Sequence, residues 1–288
     1  MITCNLMGGL GNQLFQIFAT ISYAIDSKQP FKFLNVDKLG CGSTTVRYTF
    51  WNTFFYNLKP FLIKEIPLNI EVVREQGFAY NALQTNNANN NIMLYGYFQS
   101  YKYFYDNYTM LIRLIGLETK KDTLKRKLNL TNEYLKKTIS MHFRIGDYKK
   151  IQHVHPLTTY EYYERALTYI QQLNVINNDS DNTTQYHILY FCEDVDNEDV
   201  LKIVNKLIVK FPDYSFARGD NTLADWEQML LMSCCHHNII ANSSFSWWGA
   251  YFNSNKDKIV CYPSVWFGEI AGNDVKDLCP KNWKKIDV

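Results

Sequence analysis

Four short segments of this 288-residue chain hold residue types that bind anions, sugars or protons. The first is Gly8-Gly9-Leu10-Gly11-Asn12-Gln13. It lies between an apolar run, Ile2 to Met7, and a stretch in which Leu14, Phe18, Ile21 and Ile25 recur at helical spacing. A strand therefore hands over to a helix at a glycine turn. Glycines let the backbone approach a ligand, and the free N–H groups of a helix start attract anions. The amides of Asn12 and Gln13 can hydrogen-bond a polar ligand there; the plainer reading is a tight turn with no ligand. Gly9-x-Gly11 followed by Asp37 has some likeness to a dinucleotide loop, but Leu14 stands where the third glycine belongs. No Lys-Ser/Thr follows, which excludes a P-loop.

The second segment is His142-Phe143-Arg144-Ile145-Gly146-Asp147-Tyr148. His142 and Arg144 alternate onto one face of a strand tip. An arginine there can grip a phosphate with two parallel N–H groups. Asp147 can orient that arginine or serve as a general base; a structural Arg–Asp ion pair is the plainer alternative. The third is Phe191-Cys192-Glu193-Asp194-Val195-Asp196. Asp194-x-Asp196 matches a metal-binding Asp-x-Asp in three letters only, and a carboxylate here can instead accept from the N–H groups of a guanine ring. Asp196, Glu198 and Asp199 suit the start of the following helix and are read as capping, which leaves Glu193 and Asp194 as ligand contacts. The fourth is Ala241-Asn242-Ser243-Ser244-Phe245-Ser246-Trp247-Trp248. Its hydroxyls and N–H groups at a helix start form an anion site, or Ser243 and Ser244 are simple caps and the tryptophans pack. His236-His237 beside Cys234-Cys235 are contiguous and point apart, so no metal site is expected.

The elements that must position these residues alternate. Strands are expected at 2–7, 31–36, 92–98, 138–143, 187–192, 237–241 and 258–263. Helices are expected from Leu14 to Ile25, across the Lys-rich stretch 120–137, and at 160–173, 199–211, 225–233 and 245–252. Alternation of this kind implies parallel sheets, with ligands beyond the carboxyl ends of the strands. The pattern restarts after the Lys-rich stretch, so two domains are expected, 1–137 and 138–288. The Asn-rich run at 85–91 reads as a surface loop.

Composition narrows the classes. Lys+Arg is 30 against Asp+Glu 28, a net charge of +2, which argues against a nucleic-acid partner. Aromatic residues reach 16 %, enough both to fill cores and to line sites for ring-shaped ligands. No apolar run approaches the roughly 18 residues of a membrane span. Met1 to Leu6 lacks a basic leader, so a cytoplasmic protein is expected. The seven cysteines, Cys41 among them, form no C-x-x-C pair and read as reduced thiols.

Taken in order, "GGLGNQLFQIFATISYA", "HFRIGDY", "LTTYEYYERAL" and "LMSCCHHNIIANSSFSWWGAYFN" resemble glycosyltransferase family 11, the α-1,2-fucosyltransferases. The resemblance runs from Met7 to about Phe267 and is weakest over 39–130, where acceptor specificity is expected. It implies an α/β, GT-B-like fold of two Rossmann-like domains facing a central cleft. The amino-terminal domain would take the acceptor and the carboxyl-terminal one GDP-fucose. The implied reaction is inverting, metal-independent transfer of L-fucose from GDP-β-L-fucose to the 2-hydroxyl of a galactose-terminated glycan. Arg144 would bind the β-phosphate and stabilise leaving GDP. His142 would shape the donor pocket, Ser243, Ser244 and Phe245 would sit at phosphates and base, and Asp194 would meet guanine. Gly9, Gly11, Asn12 and Gln13 would approach fucose and pyrophosphate, with Asn12 and Asp147 joining Arg144 as catalytic residues. Many relatives carry a second arginine where Ile145 stands; Lys149 and Lys150 are the candidates to replace its charge. Two other readings are a catalytically silent sugar-nucleotide or carbohydrate binder of the same fold and an NAD-dependent oxidoreductase. The missing third glycine counts against the latter.

Overall fold

The computed structural model describes residues 1–40, 46–84, 90–177 and 185–288. Cys41 and most of the Asn-rich loop at 85–91 lie outside them. The chain forms two compact units, Met1–Lys120 with Asn273–Pro280, and Lys121–Gly272 with Lys281–Val288.

The first unit runs β1 (Ile2–Cys4), α1 (Leu10–Asp26), β2 (Phe33–Leu34), β3 (Lys38–Leu39), β4 (Arg47–Tyr48), β5 (Leu62–Ile63), β6 (Ile70–Arg74), β7 (Asn91–Tyr95) and α2 (Tyr108–Leu114). Its main sheet is parallel, in the order β1-β7-β6. The strand expected at 31–36 is cut to Phe33–Leu34 because the chain turns at once, Val36 N–H bonding back to Leu34 O. α1 is buried along most of its length, from Leu10 to Ala24. Part of the high aromatic content is spent in this core, where Phe104 meets Phe15 and Phe18 at ring distances of 6.0 and 5.6 Å.

The chain crosses between units within α3 (Leu117–Lys127), before the boundary expected at 137. Lys121 is buried and donates to Phe252 O at 3.1 Å, and Leu124 and Leu135 are buried too, so this stretch belongs to the second core and is not a solvated linker. Residues 273–280 return to the first unit, where Ser100 Oγ donates to Asp277 O at 2.6 Å and Lys102 pairs with the Asp277 carboxylate.

The second unit continues with α4 (Asn132–Lys136), β8 (Thr138–His142), α5 (Tyr160–Asn177), β9 (His187–Phe191), α6 (Asn197–Lys210), β10 (Ser215–Arg218), α7 (Asp225–Cys234), β11 (His237–Ile239), α8 (Ser244–Tyr251), β12 (Val260–Pro263) and β13 (Lys284–Ile286). All six sheet strands are parallel, in the order β10-β9-β8-β11-β12-β13. Numbered by appearance this is 3-2-1-4-5-6, the doubly wound Rossmann order. Ile139, Met141, Ile188 and Ile239 of the sheet pack with Tyr162, Tyr163 and Leu167 of α5 and Val204 and Leu207 of α6. β10 and β13 had no sequence expectation; they are the two edge strands, with alternate or leading residues exposed, and edges are where polar residues interrupt the apolar signal.

Candidate active site

In a doubly wound sheet, ligands bind where the strand order reverses. Here that point lies between β8 and β11, and the loops leaving their carboxyl ends carry the second and fourth sequence segments.

Arg144 stands two residues past the end of β8. Its Nη2 donates to Asp147 Oδ1 at 2.7 Å, and its Nη1 pairs with the Glu193 carboxylate at the end of β9. The guanidinium also lies 5.3 Å from the centre of the Tyr148 ring. Burial opposes its charge, but Glu193 and Asp147 outweigh burial and hold it ionised. Its side chain is 22 % exposed, so a ligand can reach it.

Asp196 corrects the capping assignment. Its carboxylate makes no cap bond to α6; it accepts the Gly146 N–H at 2.6 Å instead. A buried acid thus pins the loop that carries Arg144. Asp196 starts the helix in sequence but faces the loop of a neighbouring strand, which spacing alone does not reveal. Glu198 and Asp199 do lie in the first turn of α6. Lys149 does not supply the missing charge freely, because it pairs with Asp199 at 2.7 Å. Ile145 belongs to the core.

His142 is 7 % exposed, and its Nδ1 has no partner among the described residues. Burial, with a smaller push from Arg144, takes its pKa down to about 3, so the imidazole is neutral. Its ring lies 5.6 Å from Phe245 at the start of α8. Ser243 is the N-cap of that helix, its Oγ accepting from Phe245 N–H at 3.4 Å, and Ser244 is its first residue. The cap reading therefore holds, and the helix still presents its first N–H groups at the switch point. Trp247 and Trp248 are fully buried packing residues. The two loops are tied together: Tyr148 OH donates to Asn242 O at 3.2 Å, and the Asn242 amide donates to Pro156 O and Trp266 O. His155 stacks on the Tyr148 ring at 4.6 Å.

Asp194 accepts from Arg218 Nη2 at 2.5 Å and Asn221 Nδ2 at 3.0 Å, and these two bonds hold its pKa below the ordinary value. Neither partner is expected from the sequence, since Arg218 ends the unexpected strand β10 and Asn221 follows it. The tyrosines of "LTTYEYYERAL" gain a role as well. Tyr163 OH donates to His142 O at 3.0 Å, while Tyr162 OH donates to Ile240 O at 2.6 Å and Cys261 O at 3.1 Å. α5 thereby braces the strand ends that bear the site.

In the first unit Gly8 adopts φ +75°, and a Cβ there would meet Asn12 Nδ2 at 2.4 Å. A Cβ on Gly9 would meet nothing within 4 Å, so the turn is open on that side. Gly11 and Asn12 lie in the first turn of α1, and Asn12 Oδ1 accepts from Gln99 Nε2 at 2.9 Å. Gln13 differs from expectation. It is fully buried, and its amide donates to Gly8 O at 3.0 Å and Tyr48 O at 2.9 Å, so it shapes the turn from within.

A glycine turn at a helix start in one parallel α/β unit, and an arginine beside a helix N-terminus in a doubly wound other, suit a protein that handles a nucleotide-linked group. Comparison with known proteins names the class: the sequence profile described as Glycosyl transferase family 11 matches residues 73–286. The chain therefore belongs to glycosyl transferase family 11 and is a glycosyltransferase. Among its relatives, an alpha-1,2-colitosyltransferase from Escherichia coli is 26 % identical, covering 100 % of this chain and 99 % of its own. The O-antigen biosynthesis glycosyltransferase WbnK from Escherichia coli is 28 % identical over 98 % of this chain and 99 % of its own. A FUT1 variant from Arabidopsis thaliana, solved in complex with GDP, superposes with a TM-score of 0.49 at 9 % identity, covering 90 % of this chain and 69 % of that one. No helix among the described residues is long and apolar enough to cross a membrane.

Proposed function

We propose that the enzyme transfers L-fucose from GDP-β-L-fucose to the 2-hydroxyl of a galactose-terminated glycan, with inversion and without a metal. The observation that carries this reading is Arg144, fixed by two carboxylates and a tyrosine face at the switch point of the second unit. The β-phosphate gains negative charge as the bond to fucose C1 breaks. A guanidinium and the α8 N-terminus, already oriented, stabilise that charge without reorganising. Asp147, Glu193 and the Tyr148 hydroxyl each take part in hydrogen bonding with the guanidinium, whose five N–H donors exceed those three partners. Asp147, in this account, orients Arg144 and is not the base. The neutral imidazole of His142 and the ring of Phe245 line the donor side, and Asp194, with Arg218 and Asn221, meets guanine. Metal independence is supported by the partners of Asp194 and Asp196, which are an arginine and an amide for the one and a backbone N–H and the Lys149 ammonium for the other, so each carboxylate faces its own donors.

A second reading concerns the donor sugar alone. The colitosyltransferase relative, similar over its full length, supports an α-1,2 linkage and raises GDP-colitose as donor. Colitose is fucose without its 3-hydroxyl, so competition between the two donors decides. GDP binding by calorimetry tests the carrying observation. Arg144→Ala is expected to weaken GDP by about 2–3 kcal/mol, as for a charged hydrogen bond lost. Unchanged affinity would remove Arg144 from the donor site.

A further inference from the structure

Carboxylates are only part of what holds Arg144; the rest is a stack of rings within the second unit. The guanidinium lies 5.3 Å from the centre of the Tyr148 ring and shares a hydrogen bond with the Tyr148 hydroxyl. The Tyr148 ring is stacked in turn on His155, at 4.6 Å between centres and 14° between planes. His155 also meets the Phe267 ring at 5.3 Å. The stack joins the loops that leave β8, precede α5 and follow β12. The last two are pinned to each other. Gly268 N–H donates to Val154 O at 2.8 Å, and a Cβ on Gly268 would lie 2.2 Å from His153 O, so only glycine permits this approach. The Asn242 amide reaches the same loops, donating to Pro156 O at 2.8 Å and Trp266 O at 3.2 Å. The His155 Nδ1 is buried and has no hydrogen-bond partner among the described residues, so ring contacts, and not that nitrogen, hold the side chain. Burial lowers its pKa, with Asp147 acting against burial and Arg144 with it. The ring is therefore a neutral imidazole at neutral pH and adds no second positive charge beside Arg144.

We infer that His155 is a positioning residue for Arg144: packed on Tyr148 and Phe267, it fixes the ring against which the guanidinium is set. This rests on the donor reading above, in which Arg144 meets the β-phosphate. A long side chain has rotamer freedom to lose, and a donor stabilises developing charge best when it is already oriented. The ion pairs alone give little of that order. The Asp147 and Glu193 side chains are 51 % and 50 % exposed, and ion pairs so open to water are weak. The ring stack, tied to two further loops, supplies the rigidity that the exposed carboxylates lack.

The test is a double-mutant cycle on GDP affinity, measured by calorimetry with wild type, His155→Ala, Arg144→Ala and the double variant. His155→Ala is expected to weaken GDP about threefold to tenfold when Arg144 is present and to change nothing when it is absent, because it acts through that residue. His155→Phe keeps a stacking ring and is expected to recover the affinity. A merely structural histidine would lower the melting temperature in both backgrounds and leave GDP affinity intact. Equal weakening with and without Arg144, no weakening, or no recovery in His155→Phe overturns the inference while the donor reading stands. If wild type does not bind GDP, or binds it no better than Arg144→Ala, the donor reading fails instead. Positioning is then read without ligand, from the NMR signals of the Arg144 guanidinium, assigned by their loss in Arg144→Lys. Its rotation is expected to be slow in wild type and His155→Phe and faster in His155→Ala; the same rotation in all three overturns the inference. Should His155→Ala not fold, Gly268→Ala takes its place in the cycle, since the added methyl displaces the His153–His155 segment without removing a ring, and the same loss is expected.

Discussion

In the proposed reaction Arg144 carries the contact to the donor phosphate. Replacing it with alanine is expected to lower kcat/KM by about a hundredfold or more, close to what a lost oxyanion contact costs. Lysine should not restore the rate, because it lacks the fork that meets Asp147 and Glu193 together. Steady-state kinetics on both variants check this. Asp196 offers a subtler test. It is 2 % exposed and its loss leaves the Gly146 N–H unpaired, so Asp196→Ala should cost about 1–3 kcal/mol of stability. It should also slow transfer at saturating substrate, since the Arg144 loop loses its anchor. Thermal unfolding and kcat measured on one preparation separate the two effects. The four chemical segments were legible in the sequence because each follows an apolar strand, yet their partners were not. Asp196 and Gln13 face inward through contacts distant in sequence, to Gly146 and Tyr48, and no local spacing encodes those.

At the scale of elements, the site is two loops and the helix that braces them. Tyr163 on α5 donates to the carbonyl of His142, the last residue of β8. Tyr163→Phe should lower stability by about 1 kcal/mol and let that strand end relax, which hydrogen exchange at His142 to Ile145 would register as faster exchange. Elements with long apolar or periodic signals, α1, β8, α5, β9, α6, α7, β11 and α8, stood close to their expected bounds. β10 and β13 carried no such signal, being short edge strands with exposed residues. With them missing, the strand order could not be read, and Arg218 and Asn221 went unnoticed as partners of Asp194.

For the whole molecule, buried histidines set the acid response. His142 and His237 are both held to about 3 by burial, against an ordinary 6.5. The unfolded chain therefore binds protons that the folded one refuses between these values. Stability is fully present above about pH 6.5 and falls as pH drops toward 3, by up to about 1.4 kcal/mol per pH unit for each histidine. Melting temperature should be flat from neutral pH upward with respect to these groups and decline steadily below about pH 6, and His237→Asn should make that decline shallower.

The proposed reaction is glycosyl transfer from a GDP-linked 6-deoxy sugar to a galactoside without a metal. Incubating the purified protein with GDP-fucose and lactose in EDTA, with the product linkage read by NMR, decides it. The expected product is an α-1,2-fucosylated galactose. A product only when manganese is restored, or none from either GDP-fucose or GDP-colitose, would contradict it.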